Sequence, residues 1–99
     1  MSHMRRIDAN QPAIVKAIRN AGCTVEHLHA VGKGCPDLLC AIGGQVFLIE
    51  IKDGAKPPSG QKLTPDQIIW HRDWQAEVHV VNSVEAAIAV VAKYSRTSA

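Results

Sequence analysis

The sequence has 99 residues, a formal net charge of +2, 46% hydrophobic residues and 20% charged residues. This length suits one compact domain and leaves no room for a second, and the composition is typical of a globular protein rather than a disordered one. The small positive charge permits a nucleic-acid partner but does not by itself indicate one.

The three cysteines, Cys23, Cys35 and Cys40, are odd in number and contain no C-x-x-C pair. A disulfide framework and a structural zinc site are therefore not expected, and buried thiols in an intracellular protein are the simplest interpretation. No apolar run approaches the ~20 residues that a membrane span needs, and no signal peptide is recognisable. Residues 1–3 are expected to be left over from cloning, which makes residues 4–99 a single domain.

The first predicted element is a helix over residues 8–21, where apolar side chains recur at helical spacing. Pro12 falls in the first turn, where backbone N–H groups have no partner within the helix. Gly22 supplies a stop signal. Residues 23–31 alternate weakly between apolar and polar side chains, which predicts a strand.

A hairpin is predicted next, with strands over residues 37–42 and 45–52 joined at Gly43-Gly44. Both strands are nearly continuous apolar runs. Such runs are typical of strands that are covered on both faces.

The polar stretch 53–62 is rich in proline and glycine and predicts a loop. A helix over residues 65–75 follows, because Thr64 can cap it, Pro65 suits its first position, and Gln67 stands three residues after the cap.

The last two predicted elements are a short strand over residues 77–81 and a helix that Ser83 caps. The element order is therefore α-β-β-β-α-β-α. The helix between the third and fourth strands is long enough for a right-handed crossover, so these strands are expected to pair in parallel. The fold class is α/β, with a central mixed sheet flanked by helices.

Several aromatic residues have a plain structural interpretation. Trp70 and Trp74, four residues apart, are expected to be core or dimer contacts, and His71 is expected to pack or to face water. His27 and His29 would share one strand face, where packing is favoured over metal binding.

The hairpin places two acids opposite each other. If Ile42 faces Gln45 across the turn, the register continues until Asp37 faces Glu50. Directly opposed residues point to one face with Cβ atoms about 4.5–5.5 Å apart, where two carboxylates repel each other. A hard divalent cation such as Mg²⁺ or Mn²⁺ would convert this repulsion into attraction.

Lys52 stands two residues after Glu50 and therefore points to the same face of the strand. Ile51 points to the opposite face, while its backbone carbonyl can still turn toward a metal. Two acids, a carbonyl and an ammonium group in one place suit phosphodiester hydrolysis. The metal would activate a water, and the ammonium would stabilise charge on the phosphate.

These residues resemble a known signature. The segments G-x-P-D at 34–37 and E-I-K at 50–52 are similar to the G-x-P-D … E-x-K pattern of the PD-(D/E)xK nucleases, and more narrowly to the VRR-NUC domain of small stand-alone phage proteins. The similarity continues through residues 63–74 and 78–88, so it covers nearly the whole chain. It implies a restriction-endonuclease-like core and a phage- or prophage-encoded protein of the bacterial cytoplasm.

The resemblance also implies roles for individual residues. It implies metal binding by Asp37, Glu50 and the Ile51 carbonyl, catalysis by these two acids and Lys52, and a site lined by Gly34, Pro36 and Gln67. The capping box explains a glutamine at position 67 equally well. Further implications are dependence on Mg²⁺ or Mn²⁺, no organic cofactor, homodimerisation, and cleavage of branched DNA such as four-way junctions.

One departure concerns the first helix, where many relatives carry a glutamate near the metal. This helix offers Gln11 instead, which is expected either to take a weaker role beside the site or to leave it with fewer carboxylates. Three loop lysines, Lys33, Lys56 and Lys62, are expected to flank the site and contact DNA phosphates, although solvated lysines on loops are as good an interpretation for each one.

Three hypotheses follow from these residues. The first is a metal-dependent, structure-specific DNA endonuclease that resembles a Holliday-junction resolvase. The second is a junction-binding module on a nuclease fold that has lost efficient chemistry, and the third is a nuclease that acts on RNA or on nonspecific ends.

Overall fold

The structure is a computed structural model that describes residues 7–95. The proposed cloning remnant at residues 1–3 lies outside the described residues. In chain order, the elements are α1 (Gln11–Asn20), β1 (Thr24–His27), β2 (Leu38–Ile42), β3 (Gln45–Ile51), a short 3₁₀ turn (Pro58–Gln61), α2 (Pro65–Asp73), β4 (Val78–Val81) and α3 (Val84–Ser95). The predicted order of helices and strands is confirmed, and the 3₁₀ turn lies within the predicted loop.

The four strands form one mixed sheet in the order β1-β2-β3-β4. β1 and β3 each pair antiparallel with β2, while β4 pairs parallel with β3. The parallel pairing confirms the predicted crossover through α2. At the hairpin, Ile42 faces Gln45 and Leu38 faces Ile49, so the predicted register is also confirmed.

One face of the sheet carries the hydrophobic core. α1 and α3 pack against each other and lie on this face. The core side chains are mainly aliphatic and come from both helices and all four strands, among them Ile14, Ile18, Val25, Leu38, Ile49, Ile51, Val81 and Val91. The three cysteines are buried thiols, as expected, and burial raises the pKa of Cys40 to about 12.

The first helix is shorter than predicted because its two ends are fixed by local bonds. The Gln11 amide bonds to the Asp8 carbonyl in a turn that precedes the helix. At the other end, Gly22 has a φ of +108°, and the amides of Gly22 and Cys23 bond back to Arg19 and Ile18. This pattern of bonds is a Schellman motif, and glycine is favoured at its left-handed position.

The prediction of a strand over residues 23–31 is wrong beyond His27. The Leu28 amide still reaches the Asp37 carbonyl at 2.8 Å, but the next residues turn, with the Val31 amide bonded to the Leu28 carbonyl. Positive φ values at residues 32–34 are incompatible with an extended strand. His29 therefore does not share a strand face with His27.

The prediction that both hairpin strands are covered on both faces is also wrong. The first half of β3 and alternate residues of β2 are open on the face opposite the core: Leu39 is 37% exposed and Val46 is 66% exposed. The apolar runs of β2 and β3 therefore include side chains on a second face of the sheet that is only partly covered.

α2 lies over this second face and begins with the predicted capping box. The Thr64 hydroxyl accepts from the Gln67 amide at 3.2 Å, and the Gln67 side chain accepts from the Thr64 amide at 2.9 Å. The residue of α2 that is buried is Gln67. Within residues 7–95, no helix is long and apolar enough to cross a bilayer.

Candidate active site

The site begins with the two acids of the hairpin. The observed pairing of β2 and β3 ends at Leu38–Ile49, and extending this register by one residue places Asp37 opposite Glu50. Opposed antiparallel residues share a face, so both side chains point away from the core. Asp37 is 4% exposed and Glu50 is 1% exposed, which is rare for carboxylates unless they have polar or charged partners.

Asp37 is held by the strands on both of its sides. Its Oδ2 accepts a hydrogen bond of 2.6 Å from the Ile51 amide. Its backbone carbonyl accepts from Leu28, directly after β1. These two bonds fix the acid at the point where β2 begins.

Pro36 affects the backbone of β3 at the same point. Extending the register of β2 and β3 by two residues beyond Leu38–Ile49 places Pro36 opposite Ile51, with the same parity as the pair Ile42–Gln45 that closes the two-residue turn. Residues of that parity exchange backbone bonds in an antiparallel ladder, but proline has no N–H to donate. The Ile51 carbonyl therefore receives no ladder bond from Pro36, which suits the role predicted for this carbonyl.

Gly34 allows the loop before Asp37 to lie against the start of α2. A Cβ atom at this position would stand 2.3 Å from the Asp66 carbonyl oxygen and 2.8 Å from the Gln67 nitrogen. The φ of Gly34 is +85°, which also favours glycine. This close approach brings α2 to the two acids.

Gln67 connects the catalytic candidates to one another. Its Oε1 accepts a hydrogen bond of 2.6 Å from the Lys52 ammonium, and its Nε2 donates to Glu50 Oε2 at 3.1 Å. The same side chain completes the capping box with Thr64. The two interpretations of Gln67 therefore hold together, because one amide both caps the helix and orients Lys52 and Glu50.

His71 also lies at this site, whereas the sequence was interpreted as placing it in packing or in water. Its Nε2 stands 3.9 Å from Glu50 Oε1, and the side chain is 14% exposed. A residue four positions after Gln67 lies on the same side of a helix. That spacing was the signal in the sequence that could have identified His71.

The polar residues Gln11 and Asp8 lie at the N-terminal end of α1, Gln11 in its first turn and Asp8 just before the helix. Gln11 is 1% exposed, and its Nε2 lies 3.2 Å from His27 Nδ1, so this side chain contacts β1. Asp8, just before the helix, is half-buried. Its pKa is raised, first by burial and then by the negative charge of Asp37, with Lys56 and Lys52 opposing. Asp8 therefore lies within electrostatic reach of the site.

The three loop lysines are exposed. Lys56 lies near Asp8, and its positive charge opposes the rise in the Asp8 pKa. Lys56 also lines a small cavity with Asp8 and Asp53. Lys33 adopts a positive φ of 55° in the loop that Gly34 anchors. The geometry leaves all three side chains accessible to a ligand.

The donor atoms of the site are compatible with a divalent cation. Asp37 and Glu50 provide buried carboxylate oxygens, and the Ile51 carbonyl lacks a ladder bond from Pro36. Mg²⁺ typically binds through one or two carboxylates and keeps several waters, so this set is sufficient. Across residues 7–95, no three His, Cys, Asp or Glu side chains are clustered tightly enough to form a ready-made metal cage.

Comparison with known proteins identifies the fold. No protein-family model and no curated protein sequence matches the chain. A solved structure described as a VRR_NUC domain matches it with a TM-score of 0.62 and 26% sequence identity, over 88% of this chain and 99% of the other. The chain therefore shares the fold of a VRR-NUC domain.

This similarity supports a nuclease domain, and the four-stranded mixed sheet flanked by helices is consistent with a restriction-endonuclease-like fold. The two motifs that suggested this family, at residues 34–37 and 50–52, lie together on the face of the sheet opposite the core. They meet through Gly34, which lies against α2, and through Gln67, which α2 contributes.

Proposed function

We propose that this protein is a VRR-NUC-type nuclease, a Mg²⁺- or Mn²⁺-dependent endodeoxyribonuclease that hydrolyses phosphodiester bonds in branched DNA such as four-way junctions. The observation that carries the proposal is the pairing of buried Asp37 and Glu50 across the hairpin, with Lys52 on the same face. A buried pair of acids is costly for the fold, and the proposed chemistry gives this arrangement a purpose.

In this proposal Asp37, Glu50 and the Ile51 carbonyl hold the ion. When bound, the ion supplies an activated water and neutralises charge on the phosphate. The Lys52 ammonium is oriented by Gln67 Oε1 and stabilises negative charge that develops on the phosphate. Gln67 also holds Glu50, because its Nε2 donates to Glu50 Oε2.

The test is cleavage of labelled four-way junction, flap, linear duplex and RNA with Mg²⁺, Mn²⁺ or EDTA. We expect cutting of the junction with either ion and none with EDTA. Asp37→Asn, Glu50→Gln and Lys52→Ala should each lower the rate by ~10³-fold, which is ~4 kcal/mol in the barrier. Lys93→Ala, an exposed lysine on α3, serves as the matched control and should cut normally.

Two outcomes would contradict the proposal. Cutting that persists in Asp37→Asn or Lys52→Ala would place the chemistry elsewhere. Junction binding without metal-dependent cutting would favour a binding module, which the absence of an acid from the first turn of α1 would then explain. Preferential cutting of RNA would change the substrate class.

The loop lysines are proposed to contact the DNA backbone. Lys33, Lys56 and Lys62 are exposed on loops, and each phosphate contact releases condensed counterions. Replacing one of them by alanine should weaken junction binding at low salt and reduce the salt dependence by about one phosphate contact. An unchanged salt slope in all three variants would exclude this role.

A homodimer is proposed as the functional form, since a two-fold dimer would match the two-fold symmetry of a four-way junction. Apolar side chains exposed around α2 support it: Ile68 is 54%, Ile69 is 47% and Trp74 is 46% exposed. Light scattering at micromolar concentration should give twice the mass of the chain. Ile69→Lys should give a monomer, whereas Val31→Lys, an exposed apolar residue in a loop, should not.

A further inference from the structure

Glu50 has a second neighbour of the type that binds metal ions. α2 places Gln67 and His71 on the same side of the helix, and they flank the two oxygens of the Glu50 carboxylate. Gln67 Nε2 donates to Oε2 at 3.1 Å, while His71 Nε2 stands 3.9 Å from Oε1. Both side chains of α2 that reach the acid are therefore polar.

The distance between His71 and Glu50 is too long for a hydrogen bond, which needs about 2.7–3.2 Å. It is, however, a distance that one ion can bridge. Donor atoms lie about 2.1 Å from Mg²⁺ or Zn²⁺, so two donors on one ion stand about 3.0–4.2 Å apart. The separation of 3.9 Å falls inside this range.

We propose that His71 Nε2 is a ligand of the ion that Glu50 binds. Imidazole nitrogen suits first-row transition ions better than Mg²⁺, which prefers oxygen. The site therefore selects Mn²⁺ over Mg²⁺. This inference rests on the proposed metal-dependent function and specifies which ion the site takes.

Glu50 is the shared member of the metal site, because it faces Asp37 across the hairpin and His71 across the gap to α2. Since no three such side chains are clustered within the described range 7–95, an ion bound by all three draws their side chains together by rotation. The His71 side chain lies at the edge of the site, where it is 14% exposed. Its ring also contacts Trp70 edge-on, with centroids 6.4 Å apart.

The deciding experiment is magnetic resonance of the whole chain loaded with Mn²⁺. A coordinated imidazole produces a ¹⁴N hyperfine coupling to Mn²⁺, detected by pulsed electron paramagnetic resonance. We expect this coupling in the wild type and in His27→Gln, a matched control whose histidine lies at β1. It should disappear in His71→Gln, with Mn²⁺ affinity lowered at least ~10-fold and Mg²⁺ affinity changed less.

The spectrum of the wild type is decisive even if a variant fails to fold. Bound Mn²⁺ without ¹⁴N coupling would overturn the role of His71 and leave the proposed nuclease intact. Coupling that persists in folded His71→Gln or His71→Asn would do the same. If the wild type binds neither Mn²⁺ nor Mg²⁺, both this inference and the proposed metal-dependent function are wrong.

Discussion

The two faces of the sheet differ in how they are covered. On one face, α1 and α3 bury aliphatic side chains, and Leu38, Ile49 and Ile51 are fully buried there. On the other face, α2 meets the sheet through Gln67 and His71, while Ile68 and Ile69 are exposed. Stability is thus concentrated on one face, and the candidate chemistry on the other.

This difference explains why α2 has little amphipathic character. A helix that is held only by packing directs its apolar residues inward. α2 is instead joined to the protein by hydrogen bonds from Gln67 to Lys52 and Glu50 and by the close approach of Gly34. The inward side chains of α2 are therefore those that the site uses.

The sharpest test of the comparison replaces one isoleucine on each side. Ile49→Ala leaves a cavity in the core and should lower the free energy of unfolding by about 2–5 kcal/mol. Ile69→Ala removes a side chain that is 47% exposed and should cost less than ~1 kcal/mol. Chemical denaturation measures both. Equal losses would show that the α2 face contributes to the core after all.

A second test separates the clash at Gly34 from backbone strain. Gly34→Ala and Gly32→Ala both add a side chain at positive φ, but the new Cβ meets the Asp66 carbonyl only at position 34. We expect Gly34→Ala to lose about 1–3 kcal/mol more stability than Gly32→Ala and to lose activity as α2 is displaced. Similar losses in denaturation and cleavage assays would contradict the described packing.

The two helix caps provide a smaller contrast. Thr64 caps α2 through the Gln67 amide, and Ser83 caps α3 through the Ala86 amide. Replacing either with alanine should cost about 1 kcal/mol. Only Thr64→Ala should also change cleavage and metal affinity, because Gln67 orients Lys52 and Glu50. If both variants leave the site unaffected, the cap of α2 is purely structural.

The smallest expected effect is a pH dependence on the core face. His79 is buried, and burial lowers its pKa below the ordinary value of 6.5, with Glu77 opposing and Lys93 adding to the shift. The unfolded chain therefore binds this proton at a higher pH than the folded one. The free energy of unfolding should fall as pH drops below about 6.5. Between pH 7.5 and 5.5, the free energy of unfolding of His79→Gln should fall less than that of the wild type, as measured by chemical denaturation. An equal fall in both proteins would show that other groups cause the pH dependence.

Local patterns in the sequence were sufficient for the hairpin and for the helix starts. Gly43-Gly44 specified a two-residue turn, and that turn determined the register from Ile42–Gln45 to Leu38–Ile49. Thr64 and Gln67, three positions apart in the chain, marked the start of α2. These features depend on neighbours along the chain, which the sequence displays directly.

The sequence left open whether Trp70 and Trp74 are core or dimer contacts, and it did not place His71 at the site. Trp74 is 46% exposed, which leaves only the dimer alternative for it, and its ring stacks on Trp70 with centroids 4.8 Å apart. The close approach of Gly34 to Asp66 helps to determine which side of α2 meets the sheet.

The sequence by itself determined the order of the elements, the hairpin register and the convergence of Asp37, Glu50 and Lys52, because all of these depend on local spacing. Only the tertiary structure decided that Gln67 would join Lys52 to Glu50 and that His71 would stand beside the same carboxylate. Those contacts depend on how α2 docks across the sheet, between residues that lie 15 or more positions apart in the chain.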